Sequence, residues 1–541
     1  MGNLGIYIIL IIGLLLRLLF INKPDGLWND EYISWMISQK PLFNGFIENI
    51  AAQCHMPFYY LYLKFITKIF GNSDTVLRLS SVIPGIISIY IMYLIGKIKS
   101  EKCGIFCAGF CAISSFLIYY SQEVRFYSLL FLFSALSFFY TLKIVKNPDY
   151  KNIIGYVLSN FFILFTHTIG FVYVFFNLLY VSIKLFKDYK KQITLLWSVI
   201  CFSGIIFMPF GLKIMTGHSF SQWWNPFTPA KIGFVLTDYF SPMLTNLTAS
   251  PEKFFYRKDL EFFIFAIAPA FISLGLLIKA ILKKENLYIF ITAFATFAVL
   301  TAAAITGKLV LLTKYSIEIY PVLILLVCTG LNLINNKYIK NSLISIYLIL
   351  TVGYLIFSPV SAFKIRRAEG HKIPAEMLKR ADIKENDMIL LEYYPQDRFE
   401  KYFDFSNYNV VSINKGNFPE YMTKNADYNT VYNSGKDLYQ TIFKSEFNPY
   451  LKNRMDTEII KQLKENQSLI IVFLDSVSFY SDEKIAEIAK DNNEYKKEPL
   501  LFLVFSHIKN QTIKNAMLQI PITHYEKKGK WSVVKFTKLK I

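Results

Sequence analysis

Eleven apolar runs recur through the first 360 residues, near 4–21, 80–96, 104–120, 126–142, 153–166, 169–183, 193–212, 260–278, 287–306, 309–334 and 342–360. Most are close to the length a helix needs to cross a bilayer. In hydrocarbon every backbone N–H and C=O must find its partner inside the segment, and a single run does this only as a helix. The pattern therefore predicts a polytopic α-helical membrane protein with about eleven transmembrane helices. Composition agrees: of 541 residues 54% are apolar, 17% aromatic and only 18% charged, which excludes a disordered chain and an ordinary soluble enzyme.

The net charge of +19 would suggest nucleic acid in a soluble protein, but membrane topology absorbs it here, and no nucleic-acid partner is expected. With a cytoplasmic N-terminus, the inside loops are 97–103, 143–152, 184–192, 279–286 and 335–341. These hold 15 of the 29 Lys and Arg of residues 1–360 and only four acids, as the positive-inside bias requires. The first run lacks a basic leader and a small-residue cleavage site, so it reads as a retained helix. The outer loops are then 22–79, 119–127 and 213–259, and everything after residue 360 is extracytoplasmic. Residues 361–541 change character. Short β-like runs at 387–392, 468–475 and 500–505 alternate with charged helical stretches, predicting a soluble α/β domain. All six Cys precede residue 360, with neither disulfide nor zinc spacing; Cys103, Cys107 and Cys111 follow one helix face and read as packing residues.

The polar residues at the outer ends of the spans are the candidates for chemistry. Trp28-Asn-Asp30-Glu31 opens the first long loop, where a carboxylate can take a proton from a hydroxyl nucleophile. The same residues also fit an N-terminal helix cap. Cys54-His55-Met-Pro57-Phe-Tyr59-Tyr60 lies in the same loop, and its His can orient a carboxylate or phosphate or simply pack beside Pro57. Ser121-Gln-Glu123-Val-Arg125-Phe-Tyr127 forms a short loop whose Arg presents a planar donor fork suited to a phosphate oxyanion. An interfacial tyrosine belt with a snorkelling Arg accounts for Tyr127 but not for Glu123 beside Arg125. In the tenth run Lys314-Tyr315 and Glu318 are predicted on one helix face, four residues apart, and charges inside a span usually face a cavity or each other. His167 sits at another outer turn, and Trp223-Trp224 could stack on a sugar or anchor the loop at the headgroups. P-loop, Gly-rich dinucleotide and zinc-protease motifs are absent from the sequence, so nucleotide-driven transport has no support.

Taken in order, Asp30-Glu31, His55-x-Pro57-x-Tyr59-Tyr60, Ser121-Gln-Glu-x-Arg125-x-Tyr127-Ser128, Thr166-His167 and Lys314-Tyr315 with Pro321 resemble the bacterial glycosyltransferase family 39 type. That group is related to the protein O-mannosyltransferases and the aminoarabinose lipid A transferases, and has the GT-C membrane fold. The resemblance spans most of residues 5–330. It implies an inverting glycosyltransferase that takes a sugar from a polyprenyl-phosphate donor, such as undecaprenyl phosphate, to a lipid, protein or cell-envelope glycan hydroxyl outside the bacterial cytoplasmic membrane. By the same resemblance Asp30 is the general base and Glu31 supports it or touches the acceptor. Arg125 and Lys314 hold the donor phosphate, and His55, Tyr59, Tyr60, Glu123, Tyr127, His167 and Tyr315 line the substrate site. Met56 stands where relatives commonly have a second Pro, and Lys314 where an Arg-Tyr pair is common. A monophosphate can be held by Arg and Lys alone, so no metal ligand and no obligatory cofactor are expected, a divalent metal remaining the alternative. Rival readings are a lipid or polysaccharide transporter or flippase, whose ionisable residues would lie near mid-membrane, and a non-catalytic GT-C scaffold.

Overall fold

A computed structural model describes residues 2–23, 25–42, 46–52, 55–216, 227–245, 260–358, 361, 370–385, 387–392, 399–413, 468–474, 522–528 and 531–537. The chain divides into two compact units, residues 1–23 with 30–366, and residues 24–29 with 367–541. Trp223, Trp224 and the run at 500–505 lie outside the described residues.

The first unit is helical. Its helices are α1 (Gly2–Leu18), α2 (Asn29–Gln39), α3 (Phe46–Ala52), α4 (Phe58–Phe70), α5 (Asp74–Lys97), α6 (Glu101–Ile113), α7 (Ser115–Ser121), α8 (Tyr127–Lys146), α9 (Tyr150–Thr166), α10 (Gly170–Leu185), α11 (Lys190–Thr216) and α12 (Ala230–Phe240). After them come α13 (Leu260–Ile281), α14 (Lys284–Ile305), α15 (Tyr320–Asn332) and α16 (Lys337–Phe357). Every predicted span meets a helix. Among the described residues seven helices are long and apolar enough to cross a membrane, or eight if the bent pair of α6 and α7 is one span. That is fewer than eleven because α1, α9 and α10 are only 17, 17 and 16 residues long. The protein is multi-pass.

Two expected straight spans are broken, each for a visible reason. The run at 104–120 bends by 58° between α6 and α7. Ser114 accepts the Leu117 amide as a cap, and the carbonyls freed at Cys111 and Ala112 accept from the buried Arg17 guanidinium at 3.1 and 3.0 Å. A break in hydrocarbon thus keeps its backbone groups satisfied. The run at 309–334 begins as a 3-10 helix, Thr313–Ile319, with Ser316 off helical geometry (φ −128°, ψ 23°), before α15. Pro321 has no N–H to extend an upstream α-helix. The α-helical face expected to carry both Lys314 and Glu318 is therefore not formed, and their i,i+4 arrangement is corrected.

In the second unit a helix α17 (Lys372–Arg380) accompanies a five-stranded sheet of β1 (Met388–Glu392), β2 (Asn409–Ile413), β3 (Ser468–Leu474), β4 (Ile522–Lys528) and β5 (Trp531–Thr537). The strand order is β2-β1-β3-β5-β4, with β1 parallel to β2 and β3, and β5 antiparallel to β3 and β4. Ile373, Met377 and Leu378 of α17 pack with Ile389, Leu391, Ile470 and Val533 of the sheet and with Phe399, Phe403 and Phe405. Leu27 belongs here, its amide donating to the Tyr402 hydroxyl at 2.9 Å.

Candidate active site

The site is built where α2, the turn after α7, the segment before α4, the turn after α9 and the 3-10 helix meet. Arg125 is its centre. Buried between Tyr127 and α2, its guanidinium donates through Nη1 to the Asp30 carbonyl at 3.3 Å and to Ser34 Oγ at 3.2 Å. Its Nη2 lies 3.9 Å from Asp30 Oδ2 and 3.3 Å from His55 Nε2. Residues 95 apart in sequence are thereby brought together.

A guanidinium has no acceptor, so His55 Nε2 must accept from it. The His55 proton is then on Nδ1, which stands 2.5 Å from the Tyr60 hydroxyl oxygen. Burial, then Arg125, His167 and Lys314, hold the imidazole well below its ordinary pKa, in keeping with a neutral ring. His167 is 6.3 Å from His55 between ring centroids and accepts the Ile169 amide on Nδ1 at 3.2 Å, which leaves its proton on Nε2. Burial, helped by Arg125 and Lys314, brings its pKa down to about 3. For Arg125 burial alone would lower the pKa, yet Asp30 foremost raises it above the usual value. Burial pushes Tyr60 up to about 12 and raises Tyr59 as well.

Lys314 joins the same cluster. Its ammonium lies 5.3 Å from the ring centroids of both Tyr127 and Tyr315, and Tyr315 stacks with His167 at 6.2 Å. Phe126 fills the middle, 4.5 Å from His167, 5.1 Å from His55, 6.2 Å from Tyr59 and 4.4 Å from Tyr127. Glu123 is buried in the same turn, close enough to raise the pKa of Arg125. Arg125 Nε and the Tyr127 hydroxyl are buried without a hydrogen-bond partner among the described residues. Buried donors of this kind are costly unless a ligand or water meets them.

Glu31 stands apart from this picture. Its buried carboxylate takes Arg78 Nε on Oε1 at 3.3 Å, Arg78 Nη2 on Oε2 at 3.1 Å and the Val124 amide on Oε1 at 3.0 Å. Burial would raise its pKa, but Arg78, with Lys23 and the Val124 amide, brings it below the ordinary value. Asp30, its neighbour, keeps 27% of its side chain exposed. Of the two adjacent acids, one is bound into the scaffold and the other keeps part of its carboxylate open.

Sequence reasoning missed Arg78, Ser34 and Asp238. Asp238, on α12, accepts the Thr245 amide and hydroxyl on Oδ1, the hydroxyl at 2.9 Å, and the Thr313 hydroxyl on Oδ2 at 2.8 Å. Its neighbour Tyr239 donates to the Ser316 carbonyl at 2.5 Å. Together they anchor the 3-10 helix that carries Lys314. The available signal for Arg78 was an ionisable residue next to an apolar run.

Residues 54–209 match the family model described as dolichyl-phosphate-mannose-protein mannosyltransferase. No curated protein matches the chain by sequence. Among solved structures, ArnT from Cupriavidus metallidurans in the apo state aligns with a TM-score of 0.51 at 12% identity, covering 99% of this chain and 98% of that one. The protein has the GT-C fold. That finding and the family-model match bear out the resemblance drawn from the motifs to the mannosyltransferases and aminoarabinose transferases. Two further structures align less closely. ArnT bound to undecaprenyl phosphate gives a TM-score of 0.48 at 12% identity, covering 98% and 97% of the two chains. The Archaeoglobus fulgidus oligosaccharyltransferase tethered with an acceptor peptide gives 0.49 at 10%, covering 99% and 88%. The family match contains His55, Tyr59, Tyr60, Glu123, Arg125, Tyr127 and His167, so this GT-C chain keeps much of its polar cluster inside the matched segment.

Proposed function

We propose that the protein is a membrane glycosyltransferase that transfers a sugar from a polyprenyl-phosphate donor to a hydroxyl of a lipid, protein or cell-envelope glycan. In this reading the cytoplasmic membrane holds it with the N-terminus inside and about eleven transmembrane helices, and the cluster faces the outer side. The observation that carries this reading is Asp30 Oδ2 within 3.9 Å of Arg125, with the Lys314 ammonium 5.3 Å from the ring of the adjoining Tyr127.

The arrangement suits an inverting displacement. The acceptor oxygen attacks the anomeric carbon as its proton passes to Asp30. The bond from that carbon to the phosphate oxygen breaks, and its electron pair leaves with the polyprenyl phosphate. A phosphate leaving group needs positive charge rather than a strong acid, which Arg125 and Lys314 supply in a poorly hydrated setting. Arg125 Nε and the Tyr127 hydroxyl would donate to phosphate or sugar oxygens. The neutral Nε2–H of His167 is a further donor. No residue is assigned to a metal.

The test is transfer of label from a polyprenyl-phosphate-linked sugar by purified protein reconstituted with native-membrane acceptors. Transfer by wild type and none above background by Asp30→Asn supports the reading. Equal transfer by both refutes the base assignment.

A further inference from the structure

We infer that Glu31 and Arg78 are positioning residues whose buried ion pair holds Asp30 and Arg125 in register. The inference rests on the phosphate-binding role proposed for Arg125.

Glu31 follows Asp30 on α2, and the amide that donates to its Oε1 belongs to Val124, which precedes Arg125. Arg78, on α5, clasps both oxygens of the same carboxylate and sends Nη1 to the Ile21 carbonyl at 3.1 Å. One carboxylate therefore ties α2, α5 and the Arg125 turn, with Arg78 continuing the link to Ile21 in the segment after α1. Ser81, one turn beyond Arg78, donates to the Glu123 carbonyl at 2.6 Å and accepts Ser128 Oγ on its own carbonyl at 2.7 Å. The same face of α5 grips the turn on either side of Arg125.

Burying two charges is expensive, and a hydrophobic pair of equal volume would hold the helices as well. What a hydrophobic pair would not do is pin a backbone amide adjacent to Arg125 to a side chain adjacent to Asp30. At 3.9 Å the contact between Asp30 and Arg125 is too long to hold itself. Arg125 reaches α2 directly through the Asp30 carbonyl and Ser34, and the tie through Glu31 holds the backbone of the Arg125 turn against α2 so that those bonds stay in place. Because both Glu31 oxygens already accept, the carboxylate does not present a free face to an acceptor sugar.

The experiment uses the full chain in nanodiscs, with undecaprenyl phosphate as the binding probe. Glu31→Gln keeps an oxygen for Val124 but removes the charge that Arg78 clasps, and the expected loss of affinity is about tenfold. Since the effect acts through Arg125, adding E31Q to R125A should cost less than about twofold more. Wild-type affinity in E31Q overturns the inference, and so does an equal loss in the R125A background. Where E31Q alone fails to fold, the pair E31Q/R78Q leaves no uncompensated buried charge and carries the same comparison. Should R125A itself bind the probe as wild type does, the phosphate reading falls first and this inference with it.

Discussion

Arg125 Nη2 stands 3.9 Å from Asp30 Oδ2, while its Nη1 donates to the Asp30 carbonyl at 3.3 Å. The cation is thus hydrogen-bonded to the backbone of the residue whose carboxylate it faces, and the carboxylate itself makes only the longer ionic contact. Asp30→Asn preserves that carbonyl, so the site should keep its shape and lose only a proton acceptor. Removal of a general base lowers rates by about 10²–10⁴-fold. Single-turnover transfer from a polyprenyl-phosphate sugar should fall by that order, with donor affinity nearly unchanged. A drop in affinity of the same size would mean that Asp30 binds rather than reacts.

Arg125→Lys tests geometry against charge. The guanidinium fork reaches Ser34, the Asp30 carbonyl and His55 together, which a single ammonium cannot do. Undecaprenyl phosphate should bind about tenfold more weakly to Arg125→Lys, and Lys314→Ala should weaken it comparably. Titration of the labelled lipid into nanodiscs checks both. Wild-type affinity in both variants would remove the phosphate role.

Much of this cluster was legible because polar residues at the ends of apolar runs have few uses. Asp30, His55, Arg125 and His167 lie in the outer loops and Lys314 near the outer end of the tenth run, and the structure brings them together. The division of labour between Asp30 and Glu31 was not legible. Nothing in the local sequence distinguishes two adjacent acids, and Glu31 acquires its partner from 47 residues away. Arg78 lies just ahead of the apolar run at 80–96, whereas α5 begins at Asp74 and carries it inside the helix. The break at Ser316 was hidden for a similar reason. Residues 309–334 are apolar enough for one helix, and the hydroxyl and carboxylate that hold the 3-10 turn come from Asp238 and Tyr239. Pro321 was the one local hint.

The two buried histidines should make the fold acid-sensitive. His167 has its pKa brought from 6.5 to about 3, and His55 also titrates well below its ordinary value. Between those pH values the unfolded chain binds protons that the folded chain refuses, so stability rises with pH through the window. It is fully present above about pH 6.5 and is lost as pH falls, by up to about 1.4 kcal/mol per unit for each histidine. Asp30, Arg125 and Lys314 surround the pair, and protonated His55 could no longer accept from Arg125. Thermal unfolding in detergent should show a midpoint that declines from pH 7 to pH 5. His167→Asn should flatten the decline, and an unaltered slope in that variant would count against the assignment.

Asp238 offers a last test, since its bond to Thr313 leads to the site through the adjoining Lys314. Asp238→Ala takes from the Thr245 amide and the Thr313 hydroxyl the acceptor each has on that carboxylate, at a cost of about 1–3 kcal/mol. Thr313 opens the 3-10 helix and directly precedes Lys314, so the loosened turn should carry the ammonium away from the Tyr127 and Tyr315 rings. A lowered melting temperature should therefore be accompanied by weaker undecaprenyl phosphate binding. In a Lys314→Ala background the binding loss should vanish while the stability loss persists, because only the former passes through the lysine. Asp238→Asn keeps one acceptor oxygen and should fall between wild type and Asp238→Ala in both measurements. A melting temperature that drops with donor affinity intact would leave Asp238 a support of the helix packing and nothing more.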